Sequence, residues 1–164
     1  MTRALVFDSG VGGLTIADEL RKAAPDWIVD YAADSGFFPY GVKTDDELRE
    51  RLPRLCAALV DVAKPDVLVI ACNTASTLSL DAIRATVKVP VVGTVPAIKP
   101  AAEQTKTGVI GILATPGTVR RAYLDDLERQ FAAGKIVGRR GGARGNAAGG
   151  RDCSHEHPIR QLVG

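Results

Sequence analysis

A cysteine, an asparagine and a threonine stand together at Cys72-Asn73-Thr74, directly after an apolar run at residues 67–71. A thiol that precedes a helix is a candidate base or nucleophile, because the N–H groups and the dipole at a helix N-terminus favour the thiolate. The amide and hydroxyl that follow offer hydrogen bonds to a carboxylate or an ammonium group. The same stretch also fits a buried, inert cysteine with Thr74 as the helix N-cap, so the residues alone leave both interpretations open.

A second polar pair, Asp8-Ser9, follows the apolar run at residues 4–7 and opens the glycine-rich segment "DSGVGG". Glycines would let the backbone approach a ligand, which makes both residues candidate contacts; an ordinary strand-to-helix turn is the alternative. A dinucleotide fingerprint is excluded because Thr15 stands where G-x-G-x-x-G requires glycine. A phosphatase-type aspartyl nucleophile is excluded because Gly10 occupies the place of its second aspartate.

A third polar loop, "ADSGFFPYG", follows the strand candidate at residues 27–33. It contains an acid, a hydroxyl, two adjacent phenylalanines and a Pro-Tyr-Gly turn. Adjacent apolar aromatics in a polar loop indicate a pocket wall or an interface, although an ordinary loop is the alternative.

The elements that would position these groups alternate between apolar strands and amphipathic helices. Strands are predicted at residues 4–7, 27–33, 67–71, 89–94 and 108–115, and helices at 14–24, 48–62, 75–85 and 116–131. Pro53 predicts either a kink in the second helix or a new helix near Leu52. Nearly continuous apolar strands indicate an α/β fold with a parallel sheet flanked by helices. Ligands of such sheets lie beyond the carboxyl ends of the strands, so the polar clusters could share one cleft.

Composition sets limits on the class of protein. The chain has 164 residues, 46% of them hydrophobic, and a mean hydropathy of +0.05, as expected for a soluble protein of one domain or of one domain and part of another. No apolar run predicts a signal peptide or a membrane span. The three cysteines fit free thiols in a reducing cytoplasm.

The net charge of +2 arises from residues 135–164, which hold six Lys or Arg and two acidic residues. The rest of the chain is mildly acidic, so no nucleic-acid partner is predicted. The same segment is rich in Gly, Arg and Ala and lacks apolar periodicity, and we expect it to be a disordered tail.

Five stretches carry a family resemblance: "FDSGVGGL", "ADSGFFPYG", "ACNTAST", "GTVPAIKPA" and "GILATPGTVRRAYL". In this order and spacing they resemble glutamate racemase, of the aspartate/glutamate racemase superfamily, over roughly residues 4–133. The resemblance implies a two-domain α/β enzyme that supplies D-glutamate for peptidoglycan from a cleft between similar halves. It implies no pyridoxal phosphate, no metal and no other cofactor, glutamate as the small-molecule partner, and a homodimer.

The resemblance also implies the site residues. Two cysteines flank the α-carbon of glutamate; one removes the α-proton as a thiolate, and the other returns a proton to the opposite face. Cys72 matches the catalytic cysteine that acts on D-glutamate. The residues matching the substrate-contacting pairs are Asp8 and Ser9, Tyr40 and Gly41, and Asn73 and Thr74.

The second family cysteine stands in a Cys-Thr-His motif that has no clear match here. The stretch "CSHEHP" at residues 153–158 is not taken as its equivalent, because it has one residue too many and follows no apolar strand. We therefore expect a chain truncated or frameshifted after about residue 134. The predicted divisions are an N-terminal α/β domain at 1–97, the start of an incomplete second domain at 98–134, and the tail at 135–164. A racemase of aspartate or a related amino acid, or an inactive fragment with only a binding role, stays open as an alternative.

Overall fold

The computed structural model describes residues 1–141. The strands are β1 Arg3–Asp8, β2 Ile28–Ala33, β3 Val67–Ile70, β4 Val91–Gly93, β5 Val109–Ala114 and β6 Ile136–Gly141. The helices are α1 Leu14–Ala23, α2 Asp45–Ala63, α3 Asn73–Thr86, α4 Ile98–Gln104, α5 Pro116–Val119 and α6 Ala122–Phe131, with a 3-10 turn at Tyr40–Val42. Within this part of the chain, no helix is both long and apolar enough to cross a membrane.

Four strands form a parallel sheet in the order β2-β1-β3-β4. Phe7 of β1 is in register with Ala32 of β2 and Ile70 of β3, so the carboxyl ends of these strands lie side by side. The central strand β1 is buried from Ala4 to Asp8, as its continuous apolar run predicts. The predicted α/β fold with a parallel sheet is thus confirmed.

A second, two-stranded parallel sheet pairs β5 with β6. Helices α4 and α6 pack against this sheet. The core between them is formed by Ile98 and Ala102 of α4, Ile110 of β5, Leu124 of α6 and Ala132, which follows α6. The opposite face exposes the apolar side chains of Val109, Leu113 and Ile136. The two sheets lie on either side of residue 97 in the chain, while the domain bounds themselves stay a prediction.

Helix α2 runs from Asp45 to Ala63 through Pro53, so no new helix begins near Leu52. It begins with a capping box, in which Thr44 accepts a hydrogen bond from the Glu47 backbone and Glu47 accepts one from the Thr44 backbone. Its buried positions, Leu48, Leu52 and Cys56, belong to the core under the large sheet.

Three features differ from the sequence expectation. Helix α4 was not predicted, and the single helix expected at residues 116–131 is two, because Arg121 adopts an extended conformation between α5 and α6. Low regular structure was expected from residue 135 onward, which is wrong for Ile136–Gly141. This strand pairs with β5 through its backbone, and its Arg139 is held by Asp125 and Glu128, so little apolar periodicity was needed. Residues 142–164, with Cys153, lie outside the described residues.

Candidate active site

Cys72 lies beyond the carboxyl end of β3, as predicted. It forms the N-cap of α3, and its Sγ donates to Ser9 Oγ at 3.6 Å. The Ala71 backbone N–H donates to the Phe7 carbonyl at 2.7 Å, which joins the two polar segments directly beyond the sheet. The predicted neighbourhood of Cys72 and Asp8-Ser9 is therefore confirmed. The helix N-cap is Cys72 itself, so the alternative with Thr74 in that place is wrong.

Asp8 is held in a fixed orientation beneath this loop. Its Oδ2 accepts the Gly13 backbone N–H at 3.0 Å and lies 3.5 Å from the Tyr31 hydroxyl, which donates to the Gly10 carbonyl at 2.8 Å. Burial and the Asp8 charge raise the pKa of Tyr31 to about 12, so the phenol stays a donor at neutral pH. Sequence reasoning missed Tyr31; its place on the strand next to β1 was the available signal.

The Tyr40 hydroxyl donates to a part-buried ion pair, in which Asp34 is buried and Arg51 is partly exposed. The hydroxyl donates to Asp34 Oδ2 at 2.8 Å, while Arg51 binds both Asp34 oxygens at 2.7 Å. The Arg51 guanidinium holds the pKa of Asp34 below its usual range, which keeps the carboxylate ionised. Asp34 was expected to face the shared cleft, but it braces the Pro-Tyr-Gly turn instead. The Tyr40 O–H is therefore not free to donate to a ligand.

A cleft of about 400 Å³ lies between the large sheet's loops and the end of β5. Its lining comprises Ser9, Phe38, Pro39, Tyr40, Gly41, Val42, Thr74, Leu113, Ala114 and Thr115. The two walls meet where Thr74 Oγ1 lies 3.3 Å from Thr115 Oγ1. A Cβ at Gly41 would lie 3.1 Å from Thr115 Cγ2, so glycine permits this close approach.

The candidate residues divide into three groups around this cleft. Ser9, Tyr40, Gly41 and Thr74 line it, whereas Cys72, which contacts Ser9, and Asp8 are not lining residues and are each less than a tenth exposed. Asn73 is exposed and lines a side groove of about 470 Å³, which shares Leu113 and Ala114 with the cleft. In residues 1–141, no cluster of three or more His, Cys, Asp or Glu side chains could hold a metal ion.

The model of the Asp/Glu/hydantoin racemase family matches residues 14–149, most of the chain. The chain belongs to this family. It is 53% identical over 137 residues to a glutamate racemase of Sphingopyxis alaskensis, covering 84% of this chain and 51% of the relative. It is 57% identical over 129 residues to a glutamate racemase of Brucella anthropi, covering 78% and 46%.

Solved structures of the same family are similar to the fold. The Escherichia coli glutamate racemase, in complex with L-glutamate and the activator UDP-MurNAc-Ala, aligns with a TM-score of 0.81 at 46% identity. That alignment covers 87% of this chain and 53% of the other. Glutamate racemase isoform RacE1 of Bacillus anthracis aligns with a TM-score of 0.74 at 29% identity. The chain thus spans about half the length of the relatives that it matches.

Burial and hydrogen bonding act in opposite directions on the pKa of the Cys72 thiol. Burial, the largest effect, and the Asp8 charge raise the pKa of Cys72 above its ordinary value of 9.0, while hydrogen bonding with the Ala75 backbone and with the hydroxyl and backbone of Ser9 lowers it less. The backbone N–H of Ala75 at the helix N-terminus does favour the thiolate, as expected, but burial outweighs it, so the net shift of the pKa is upward. A thiolate formed at this position would be a stronger base than a thiolate in water.

The raised pKa of Cys72 predicts how its alkylation depends on pH. Because only the thiolate reacts, the alkylation rate of the folded protein should keep rising above pH 9, and its midpoint should lie above that of the urea-unfolded chain. Mass spectrometry of the peptide that contains Cys72 after timed iodoacetamide treatment measures the rate. If the alkylation midpoint of the folded protein lay at or below that of the unfolded chain, the raised pKa of Cys72 would be contradicted.

Arg121 is a second residue that sequence reasoning missed. It lies between α5 and α6, yet its guanidinium contacts α3 and the start of α2. The stretch "GTVRRAYL" carries two adjacent arginines, and nothing in the sequence distinguishes Arg121 from Arg120.

Proposed function

We propose that this chain supplies one half of the active site of a glutamate racemase, in which Cys72 exchanges the α-proton of D-glutamate. The observation that carries the proposal is the position of the Cys72 thiol beyond the strand ends, 3.6 Å from Ser9 at the edge of the cleft. The two glutamate racemases that are 53% and 57% identical, and the Escherichia coli structure that contains L-glutamate, support glutamate as the substrate.

The chemistry explains why these residue types are needed. An α-proton beside a carboxylate is weakly acidic, so its removal requires a base held against it and donors that stabilise the developing negative charge. In the proposal, the buried thiolate of Cys72 is the base. The Ser9 and Thr74 hydroxyls and the Gly41 main chain hold the carboxylates, and Asn73 helps orient the substrate. Asp8 acts as a fixed negative charge for the substrate ammonium group.

Inversion needs a second group on the opposite face of the α-carbon. Cys56 lies on the core-facing side of α2 and is fully buried, and burial raises its pKa to about 12. It is therefore unsuited to this role. We propose a two-base mechanism without a cofactor, in which the second thiol belongs to the half of the family fold that the alignments leave uncovered. The product, D-glutamate, would serve peptidoglycan synthesis in the cytoplasm.

The matched family also includes racemases of aspartate and hydantoins, so an aspartate or related racemase is the second candidate. Aspartate has one methylene less than glutamate, a difference that a pocket distinguishes by about 1–3 kcal/mol. A chain that only binds an amino acid without catalysis is the third candidate. Binding selectivity separates the first two candidates, and proton exchange separates both from the third.

Protection of Cys72 from iodoacetamide tests the binding part of the proposal on the 164-residue chain. D-glutamate should slow the alkylation of Cys72 in a saturable manner, and D-aspartate should need about tenfold higher concentrations. Thr74→Val removes one cleft hydroxyl and should raise the protecting concentration of D-glutamate about tenfold. Thr86→Val, at the exposed end of α3, is the matched control and should change nothing.

Two outcomes would contradict this binding site. Alkylation that neither amino acid slows would remove glutamate from the cleft. Equal effects of Thr74→Val and Thr86→Val would show that the Thr74 hydroxyl has no special place in it.

A further inference from the structure

We propose that Arg121 is a positioning residue that fixes how far apart the two walls of the cleft stand. The inference rests on the proposed function for its ligand, glutamate, but its structural part stands on contacts alone. One wall carries Thr74 at the start of α3, and the other carries Thr115 at the end of β5.

The guanidinium of Arg121 connects its own segment, between α5 and α6, to two segments that are distant in the sequence, α3 and the start of α2. Its Nη1 donates to the Thr74 carbonyl at 3.1 Å and to Thr77 Oγ1 at 2.7 Å, and its Nη2 donates to Asp45 Oδ1 at 2.8 Å. The side chain is only 11% exposed. Burying a guanidinium costs free energy because the charged group loses its hydration. Here the hydrogen bonds to three acceptors around the planar group offset that cost.

Thr74 is held from two directions by the same segment. Arg121 binds its carbonyl, and Thr115 Oγ1 lies 3.3 Å from its hydroxyl oxygen. Thr115 also caps α5, the short helix that leads to Arg121, through a hydrogen bond from the Thr118 backbone. The hydroxyl of Thr74, which lines the cleft, therefore has its distance from Thr115 and Gly41 set by the Arg121 contacts.

Local sequence features make room for this contact. A Cβ at Gly117 would lie 3.3 Å from Arg121 Nη2, a tight approach that glycine avoids. Lysine could not replace Arg121 fully, because one ammonium group cannot match the planar fork that reaches all three acceptors. The buried Nε of Arg121 has no partner among the described residues. The guanidinium is thus held in place by its two terminal nitrogens.

The neighbouring arginine provides a matched control. Arg120 is exposed and, within residues 1–141, its side chain makes none of the hydrogen bonds that Arg121 makes. The variants Arg121→Gln, Arg121→Lys and Arg120→Gln therefore separate a positioning effect from a loss of positive charge near the cleft. Asp45→Asn, at a half-exposed position, weakens one of the three contacts without emptying the buried site.

The first measurement needs no ligand. In amide NMR spectra of the 164-residue chain, Arg121→Gln should shift the resonances of Thr74, Thr115 and Gly41, while those of the central strand β1 stay in place. Arg120→Gln should shift none of the three. If the Gly41 and Thr115 amides stay unmoved in Arg121→Gln, Arg121 does not set the separation of the walls.

The second measurement uses D-glutamate protection of Cys72 from iodoacetamide. Arg121→Gln should raise the protecting concentration about tenfold, Arg121→Lys should recover part of this loss, and Arg120→Gln should stay within twofold of the parent. If Arg121→Gln does not fold, the test uses Asp45→Asn and Arg121→Lys instead. Each should raise the protecting concentration of D-glutamate about threefold. Unchanged protection in all the Arg121 and Asp45 variants would overturn the positioning role. If glutamate does not protect the parent chain, the proposed function fails, while the NMR comparison still decides the role of Arg121.

Discussion

Replacing Cys72 with alanine is expected to slow the inversion of glutamate by about 10²–10⁴-fold, the usual contribution of a positioned general base. The comparison uses a joined chain, in which residues 1–131 of this protein are followed by the second half of the Escherichia coli relative, 46% identical over the aligned part. The loss should be large because Cys72 is the thiol beside Ser9, and Cys56, the other cysteine in residues 1–141, is buried in the core.

Two companion chains sharpen this prediction. Cys56→Ala in the joined chain should keep most of the activity, since the Cys56 thiol lies in the core at α2 and away from the cleft. The 164-residue polypeptide alone should invert glutamate negligibly, because inversion requires an acid and a base on opposite faces and one thiol is placed at the described cleft. Efficient inversion by the 164-residue polypeptide that Cys153→Ala abolishes would contradict this and assign Cys153 as the second base.

Replacing Gly13 with alanine is expected to lower the free energy of unfolding by about 1–3 kcal/mol, the usual cost of overpacking. A Cβ at Gly13 would lie 2.8 Å from Ala71 Cβ and 2.9 Å from Asp8 Cβ. Neither atom is the end of a flexible side chain, so the backbone that carries Asp8 or Cys72 would have to shift. The variant should therefore also weaken D-glutamate protection of Cys72.

Gly12→Ala is the control for this substitution. Its added Cβ would meet Asp8 Oδ2 at 3.6 Å, an ordinary van der Waals contact, and Gly12 is exposed. Urea denaturation of the two variants and the parent measures the difference. Equal midpoints for Gly13→Ala and Gly12→Ala would show that the loop adapts without strain, contrary to the close packing of Gly13 on Ala71.

The sequence allowed prediction of the part of the site that depends on strand order alone. Buried parallel strands are read from continuous apolar runs, and their carboxyl ends meet at one edge of the sheet. That rule places Asp8-Ser9 next to Cys72, and the structure confirms it with the 3.6 Å contact between Cys72 and Ser9.

The sequence could not predict features that depend on side chains meeting across the fold. Arg121 and Asp45 are 76 residues apart, and their contact requires the packing of both sheets. Asp8 and Asp34 both lie at the carboxyl ends of neighbouring strands, yet Asp34 is bound by Arg51 of α2 and does not line the cleft. The raised pKa of Cys72 likewise reflects burial, which competes with the helix N-terminus and is settled only by packing.

The proposed function depends most directly on removal of the glutamate α-proton by the Cys72 thiol. The test compares the joined chain with its Cys72→Ala variant in heavy water. Proton NMR measures the loss of the glutamate α-proton, and circular dichroism measures the inversion of glutamate. The joined chain should replace the α-proton by deuterium as it inverts D-glutamate, without added cofactor, and Cys72→Ala should lose both processes. Exchange and inversion that persist unchanged in a folded Cys72→Ala variant would contradict this role of Cys72.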